Sequence, residues 1–505
     1  MVKTTNFAHP IEAFHRSTWL EYVFFQSSDS PNFVTTSNFF REISLPVSRE
    51  TAFSWHQRDQ AFERLKPPWE NVSVESRSGG IDGGIVNLVT YVGWVRLRWK
   101  AEHSRFVENE QFFDKALSGP FRFWEHMHRF SDGISENDSG NRTILQDEIN
   151  YRLRGGWLGN QLLGGWVRRK LGKMFDYRHF ITRSDLIDHF AYQRISRKTI
   201  AVTGSSGLVG RSIVAFLETG GHRVISLSRT SDASPKSGCW NPKTGEVKFA
   251  DDLDSVDIFL HLAGYGIAEK RWSASVKHKI RESRTLTTEK LCEFLADRKM
   301  VREGFLCASA TGFYGDRKDE MLDEESSVGT GFLADVSQQW EAAARKMEEV
   351  GVRVVNLRFG VILSQKGGAL SKMLLPFTLG IGGRIGSGKQ YWSSISLLDA
   401  VRAIHYAMME DGISGPVNVV APSPVNVREF AASLGRVLKR PAFFPLPAFA
   451  ARLALGEMAD HLLLASARVV PKKLQEHGFR FRHESIEDSL RFELGRVLKS
   501  EPPNL

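Results

Sequence analysis

From residue 37 to about residue 190 the apolar positions come in short alternating runs separated by turn signals, the pattern of antiparallel strands with one buried face. FFREISL (39–45) carries Phe40, Ile43 and Leu45 and leads into a helix-like stretch, ETAFSWHQ. FRFWEHMHRFSD (121–132) alternates strictly, with Trp124, His126, His128 and Phe130 on one face and Phe123, Glu125 and Met127 on the other. The turn signal SENDSGN and the run TILQDEINYRL (143–153) predict its hairpin partner. A long helical pattern closes the segment. Its apolar stripe is Leu158, Leu162, Trp166, Leu171, Met174 and Phe175, and the same helix carries Arg168, Arg169, Lys170 and Lys173.

Near residue 195 the texture changes. Apolar runs now alternate with helical patterns, which predicts a parallel sheet layered with helices. AYQRISRK (191–198) reads as a linker, and KRPAFFPLPAFAARLALG, where prolines interrupt the apolar pattern, opens a small helical appendage. The expected organisation is an extension (1–36), a sheet-rich domain (37–190), an α/β domain (198–440) and a helical C-terminal domain (441–497).

Composition narrows the class. The chain has 505 residues, enough for two or three cores, with 42% hydrophobic and 25% charged residues, the balance of an ordinary globular protein. The net charge of +9 is modest for this length and requires no nucleic acid; no nucleic-acid module is recognisable. The 3 cysteines show no C-x-x-C spacing, so a disulfide framework or cysteine zinc site is not expected. No signal-peptide pattern opens the chain and no apolar run spans a bilayer, so a cytoplasmic protein is expected.

The chemistry starts at KTIAVT (198–203), a buried strand entering Thr203-Gly204-Ser205-Ser206-Gly207-Leu208-Val209-Gly210. A helix follows, with Val209, Ile213, Phe216 and Leu217 on one face; Gly220-Gly221 ends it before a second strand, RVISLSR. In this strand–turn–helix–strand context, glycines allow a tight turn, close backbone approach to a pyrophosphate and close helix–strand packing. The second strand ends at Arg229 with no acid before Asp232, and Arg211 follows the glycine turn. A basic residue there suits a 2′-phosphate, so NADP(H) is the expected cofactor, with NAD(H) the alternative. The later strand ends His261-Leu262-Ala263-Gly264, CASATGFYGD and RVVNLRFGVIL should converge on the same crevice. His261 either lines that crevice through its backbone or is a satisfied core histidine. Arg284 and Arg358 are candidates for an anion.

TGSSGLVG, HLAG and SATGFYG resemble an extended short-chain dehydrogenase/reductase. HLAGYGIAEKRW, KIRESRTLTTEKL, QQWEAAARKMEEVGVRVVNLRFGVIL and WSSISLLDAVRAI resemble a narrower, atypical group labelled NAD-dependent epimerase-like, which ends in a helical domain of unknown function. The resemblance runs through about residues 198–497 and implies a Rossmann-like fold and an oxidoreductase or epimerase acting on a small molecule. Such reductases work through a Tyr-x-x-x-Lys pair and a Ser or Thr. Here the helix that should carry the pair reads DVSQQWEAAARKMEEVG, without tyrosine. The spacing Tyr314-x-x-x-Lys318 lies in a loop and is read as coincidence. Ser309, Thr311 and Tyr314, at a strand end, are the candidate catalytic residues; cofactor-cradling without chemistry is the other reading. A non-catalytic dinucleotide sensor is therefore carried as the alternative function.

In the first segment HQRDQAFERLKPPWE, GPFRFWEHMHRF and MFDYRHFITRSDL resemble an SRPBCC (START-like) domain, which implies a helix-grip fold with a pocket for a hydrophobic ligand. A filled aromatic core is the competing reading. His126 and His128 share a strand face, but no third ligand is identifiable by spacing and no metal site is expected. The Arg168–Lys173 cluster reads as a solvated helix face. Substrate identity and oligomeric state are beyond the sequence.

Overall fold

The computed structural model describes residues 36–133, 142–229, 237–249 and 253–496; the turn SENDSGN, Asp232 and residues 1–35 lie outside them. Residues 37–190 build a seven-stranded antiparallel sheet and one long helix. The strands β1 (Ser37–Leu45), β2 (Val72–Ser78), β3 (Ile85–Val92), β4 (Val95–Val107), β5 (Gln111–Ser118), β6 (Phe123–Gly133) and β7 (Arg142–Arg152) lie in the order β1-β7-β6-β5-β4-β3-β2. Two short helices, α1 (Arg49–Gln57) and α2 (Ala61–Leu65), separate β1 from β2, and α3 (Gly156–Phe190) follows β7. Ser48 starts α1 by accepting a hydrogen bond from the Thr51 N–H at 3.3 Å.

The alternation on β6 is as expected, with Trp124, His126, His128 and Phe130 all buried. On β1 the expectation needs correction: Phe39 faces the core with Ile43 and Leu45, and Phe40 is 47% exposed. Side chains change face at every residue of a strand, so only odd-numbered neighbours can share the face of Leu45. The stripe on α3 also needs correction. Val167, Leu171 and Phe175 pack on Phe39, Trp124, Ile149 and Tyr151, whereas Leu158, Leu162 and Trp166 are exposed. A helix of 35 residues is ~50 Å long, and seven strands span only ~30 Å. The first turns of α3 therefore run past the sheet. Arg168, Arg169 and Lys173 are exposed, as a solvated face requires, and Lys170 pairs with Glu70 at 2.9 Å.

Beyond the linker, β8 (Thr199–Thr203), α4 (Leu208–Thr219), β9 (Arg223–Ser228), β10 (Ser237–Trp240), β11 (Val247–Lys248), β12 (Val256–His261), α5 (Ala274–Glu282), α6 (Thr285–Asp297), β13 (Val301–Ala310) and α7 (Phe332–Ala344) begin an α/β layer structure. The sheet order is β11-β10-β9-β8-β12-β13, followed by Arg353–Phe359 and Gly415–Val419. All pairs are parallel except β10 with β11. The strand order reverses between β8 and β12, and ligands bind at the carboxyl ends of strands at such a switch point. The short β10 and β11 carry no periodicity that a sequence reading can resolve. On α4, Ile213, Phe216 and Leu217 are fully buried and Val209 packs at the edge of the same cluster.

The C-terminal segment is helical, with helices at Ala448–Leu455, Lys472–Glu476 and Ile486–Glu493, but Arg468–Val469 pairs with Met321–Leu322 and ties it into the α/β layer. The second half of α3 docks on the same layer. Tyr192 donates to Glu410 at 2.6 Å, and Tyr177 and Phe180 pack on Phe492. No helix among the described residues is long and apolar enough to cross a membrane.

Candidate functional site

The glycine turn at the end of β8 is built by contacts that exclude side chains. Gly204 has φ 71°, and a Cβ there would meet the Leu262 carbonyl carbon at 2.8 Å. A Cβ on Gly210 would lie 2.1 Å from the Gly204 carbonyl oxygen, so the helix can start this close to the strand only on glycine. Arg211 is the first residue of α4 whose N–H reaches back to a carbonyl, that of Gly207, at 3.0 Å. The N–H groups of Leu208, Val209 and Gly210 ahead of it find no partner among the described residues. Three open donors at the positive end of a helix dipole, beside exposed Ser206 and Gly207, fit a pyrophosphate. Ser205 and Leu208 are half-buried at the same mouth.

β12 delivers its turn against this loop, where the Leu262 N–H donates to the Thr203 carbonyl at 3.2 Å. Leu262, Ala263 and Gly264 thus line the crevice with backbone. The His261 side chain does not enter it. Its Nδ1 lies 2.7 Å from Thr203 Oγ1 and its Nε2 3.1 Å from Thr288 Oγ1, and burial lowers its pKa to about 3. Of the two readings of His261, the satisfied core histidine is the one observed for its ring. Arg229 is exposed directly past β9, and Arg211 is exposed on the first turn of α4.

Arg284 sits behind Gly264, with its guanidinium carbon 3.4 Å from where a Cβ on that glycine would be. Its Nη1 donates to the carbonyls of Tyr265 and Ile280 at 3.0 and 3.1 Å, and the group stacks over the Trp340 ring at 5.1 Å. Burial lowers its pKa to about 10, and no acid pairs with it among the described residues. It is a half-buried cation at the rim of the crevice.

The three candidate catalytic hydroxyls part company. Ser309 is buried and donates to Glu341 Oε1 at 2.7 Å. Glu341, on α7, receives Arg358 Nε and Nη2 in a fork at 2.8 Å each. Arg358 Nη1 in turn donates to the Tyr314 hydroxyl at 2.9 Å, which also lies 2.8 Å from Asn418 Oδ1 and from the Asp323 carbonyl. Tyr314 has no exposed surface, and burial pushes its pKa up to about 12 against the pull of Arg358. Only Thr311, half-buried in the turn Thr311–Tyr314, keeps an open hydroxyl. Arg358 is likewise spent inside the network instead of facing the crevice. Lys318 is exposed while Tyr314 is buried, so that spacing unites nothing. Glu341 and Asn418, the anchors of the network, were not anticipated; the lone acid in QQWEAAA was the available signal for the first.

A cleft of about 940 Å³ opens beside Tyr265 and Ile267, between α5, the start of α7 and the C-terminal helices. Trp272 and Phe332 line it with apolar surface and Lys277, Arg281, Asp335 and Glu457 with charge, Lys277 pairing with Glu457 at 2.6 Å.

A switch-point crevice closed by a glycine turn, on a parallel sheet of this order, defines a Rossmann-type dinucleotide-binding protein of the short-chain dehydrogenase/reductase kind. The chain belongs to the NAD dependent epimerase/dehydratase family, whose model matches residues 200–420; a domain of unknown function, DUF1731, matches residues 446–493. An epimerase family protein of Mycobacterium tuberculosis (MT2273) is 42% identical over 296 residues, 59% of this chain and 97% of that protein. The crystal structure of a nucleoside-diphosphate sugar epimerase from Corynebacterium glutamicum superposes with a TM-score of 0.71 at 32% identity, covering 90% of both chains, and so reaches well into the N-terminal sheet. The human epimerase family protein SDR39U1, solved with NADPH, has a TM-score of 0.54 at 29% identity over 59% of this chain and 99% of that one.

Proposed function

We propose that the chain binds NADP(H) across the Thr203–Gly210 turn and acts as an oxidoreductase or epimerase on a small-molecule substrate. The observation that carries this reading is the set of three open N–H groups at the start of α4, framed by glycines that admit no side chain. Arg229 and Arg211 would hold the 2′-phosphate, in keeping with the NADPH in the human relative. The nicotinamide, when bound, supplies or takes up a hydride. Thr311 offers the crevice its open hydroxyl to orient a substrate oxygen, and Arg284 offers a half-buried positive charge to an anionic group. The cleft walled by Trp272 and Phe332 would take the rest of the substrate; a nucleoside-diphosphate sugar, the substrate class in the name of the Corynebacterium relative, is the first to try.

We further read residues 37–190 as a helix-grip domain of the SRPBCC (START-like) kind, holding a hydrophobic ligand for the α/β domain. The support is its topology, one strand and two short helices ahead of six strands and a long closing helix. A second reading, a dinucleotide sensor without turnover, is favoured by one observation: the Tyr314 hydroxyl is enclosed, and α7 carries no tyrosine to replace it.

The test is titration of nucleotide-free protein with NADPH and NADH, followed by turnover assays at the nicotinamide absorbance. NADPH is expected to saturate by ~0.1 mM, within the usual range of cofactor affinities. Failure of both dinucleotides to bind at ~1 mM removes the proposal. Binding without hydride transfer to any sugar nucleotide or carbonyl substrate selects the sensor.

A further inference from the structure

The space between the N-terminal sheet and α3 is apolar at both ends, around Phe53 and Phe130 on one side and Trp124 and Phe175 on the other. Between them lies a polar core. β6 places His126 and His128 on its inner face, and the antiparallel register sets Asp114 of β5 directly opposite His126. The two imidazoles are 3% and 7% exposed, and one ligand atom of each of the three residues lies within 4.8 Å of the others. Asp114 Oδ2 is 3.4 Å from His128 Nε2 and 3.7 Å from His126 Nδ1. Bonds of ~2.1 Å to one metal would set such atoms ~3.0–3.4 Å apart, so the 3.4 Å pair already fits and the 3.7 Å pair would have to close.

The outward-facing atoms of the same rings point to the same use. His126 Nε2 and His128 Nδ1 lie 3.0 and 2.7 Å from a single oxygen, Asp147 Oδ1, and His179 Nε2 lies 2.7 Å from the other oxygen of Asp147. His103 Nδ1 contacts the second oxygen of Asp114. A carboxylate only accepts, so Asp147 draws the His126 ring proton to Nε2 and leaves a lone pair on His126 Nδ1. That lone pair faces Asp114 Oδ2, itself an acceptor. A metal ion here would take the place of the proton that His128 Nε2 shares with Asp114 Oδ2. His128 Nδ1, fully buried, also finds no hydrogen bond of good angle despite its short approach to Asp147. A buried carboxylate, Asp147, and a half-buried one, Asp114, meet the two imidazoles here, and Arg178 adds one positive charge nearby without an ion pair to either among the described residues.

We propose that Asp114, His126 and His128 form a binding site for one first-row divalent transition-metal ion, with Asp147 and His103 orienting the ligands from behind. Two imidazoles and one carboxylate on one side of an ion favour Zn²⁺ or Fe²⁺ over Mg²⁺ or Ca²⁺ and leave coordination positions open for water or a ligand in the space below α3. Carboxylates behind the histidines are what fixes tautomer and ring orientation at such sites. The site is independent of the dinucleotide crevice.

The test uses the full-length chain, free of any histidine tag, stripped with chelator and titrated with Zn²⁺ and Co²⁺ by calorimetry and visible absorption. One equivalent of each is expected, with visible Co²⁺ bands of a nitrogen- and oxygen-ligated ion. Asp114→Ala and His126→Gln are each expected to weaken binding at least about a hundredfold, and Asp147→Asn about 10–100-fold. His405→Phe alters the separate buried cluster His189, His222 and His405 and is expected to leave the stoichiometry at one. Should the Asp114 and His126 variants fail to fold by circular dichroism, X-ray absorption of the zinc-loaded wild type decides, two imidazoles and oxygen in the shell supporting the site. Wild-type protein that takes up no metal overturns the proposal in favour of a proton shared between Asp114, His128 and Asp147. Binding that survives Asp114→Ala and His126→Gln, or is lost with His405→Phe, overturns it as well.

Discussion

Asp188, two residues from the end of the long helix α3, accepts hydrogen bonds from Arg402 Nε at 2.6 Å and Nη2 at 3.0 Å, across the junction between the N-terminal sheet region and the α/β layer. Arg402 is 6% exposed, and its remaining Nη1 donates to Asp399 at 2.8 Å. The pair holds α3 in place where Tyr192, Phe180 and Arg58 also cross.

Removing one partner of a buried pair costs ~3–5 kcal/mol when the other is left uncompensated, and Arg402 keeps Asp399, which puts the loss at the low end of that range. Asp188→Ala is therefore expected to lower stability by about 3 kcal/mol and to open residues 191–198 to protease. Chemical denaturation and limited proteolysis of the full chain check this; an intact linker in the variant would mean that the apolar contacts alone hold the junction.

The cofactor reading of Arg229 is tested by its loss. Arg229→Ala is expected to weaken NADPH at least tenfold and to leave NADH within about twofold, because only the former carries the 2′-phosphate. Equal weakening of both would assign Arg229 to the turn itself.

Tyr314→Phe separates a proton donor from a structural link. Its hydroxyl accepts from Arg358 and lies against Asn418, so its removal leaves buried polar groups unpaired at ~1–3 kcal/mol. A lower melting temperature with NADPH affinity unchanged is expected. A tenfold loss of turnover with the melting temperature unchanged would restore Tyr314 as the catalytic acid that its place at a strand end suggests.

The junction should also respond to acid. Burial lowers His222 and His405 to about 3 and His189 well below its usual value, with Arg58, Arg197 and Lys198 opposing protonation around them. The unfolded chain takes up these protons near pH 6.5 and the folded chain does not. Stability is thus full above pH 6.5 and falls as the pH drops from 6.5 toward 3, by ~2 kcal/mol at pH 5 for one such group. His405→Phe, whose ring position is already bounded by His189, Tyr192 and Phe216, is expected to flatten the dependence of melting temperature on pH between 7 and 5. An unchanged slope would place the acid response elsewhere.

The sequence by itself determined what depends on neighbours in the chain. The glycine turn, the apolar face of α4 and the alternation of β6 follow from local backbone geometry and a regular period, and they stand where those rules put them. The split among Ser309, Thr311 and Tyr314 did not follow, because it depends on Glu341 and Asn418, 32 and 104 residues away along the chain. Nor could spacing supply a third partner for His126 and His128: Asp114 comes from the neighbouring strand, and only strand register sets it opposite. The exposed first half of α3 and the inward turn of Phe39 were equally decided by what lies across from them. Local pattern chooses an element and its apolar face; how far a partner element reaches, and which side chain meets which, is settled only when distant segments pack.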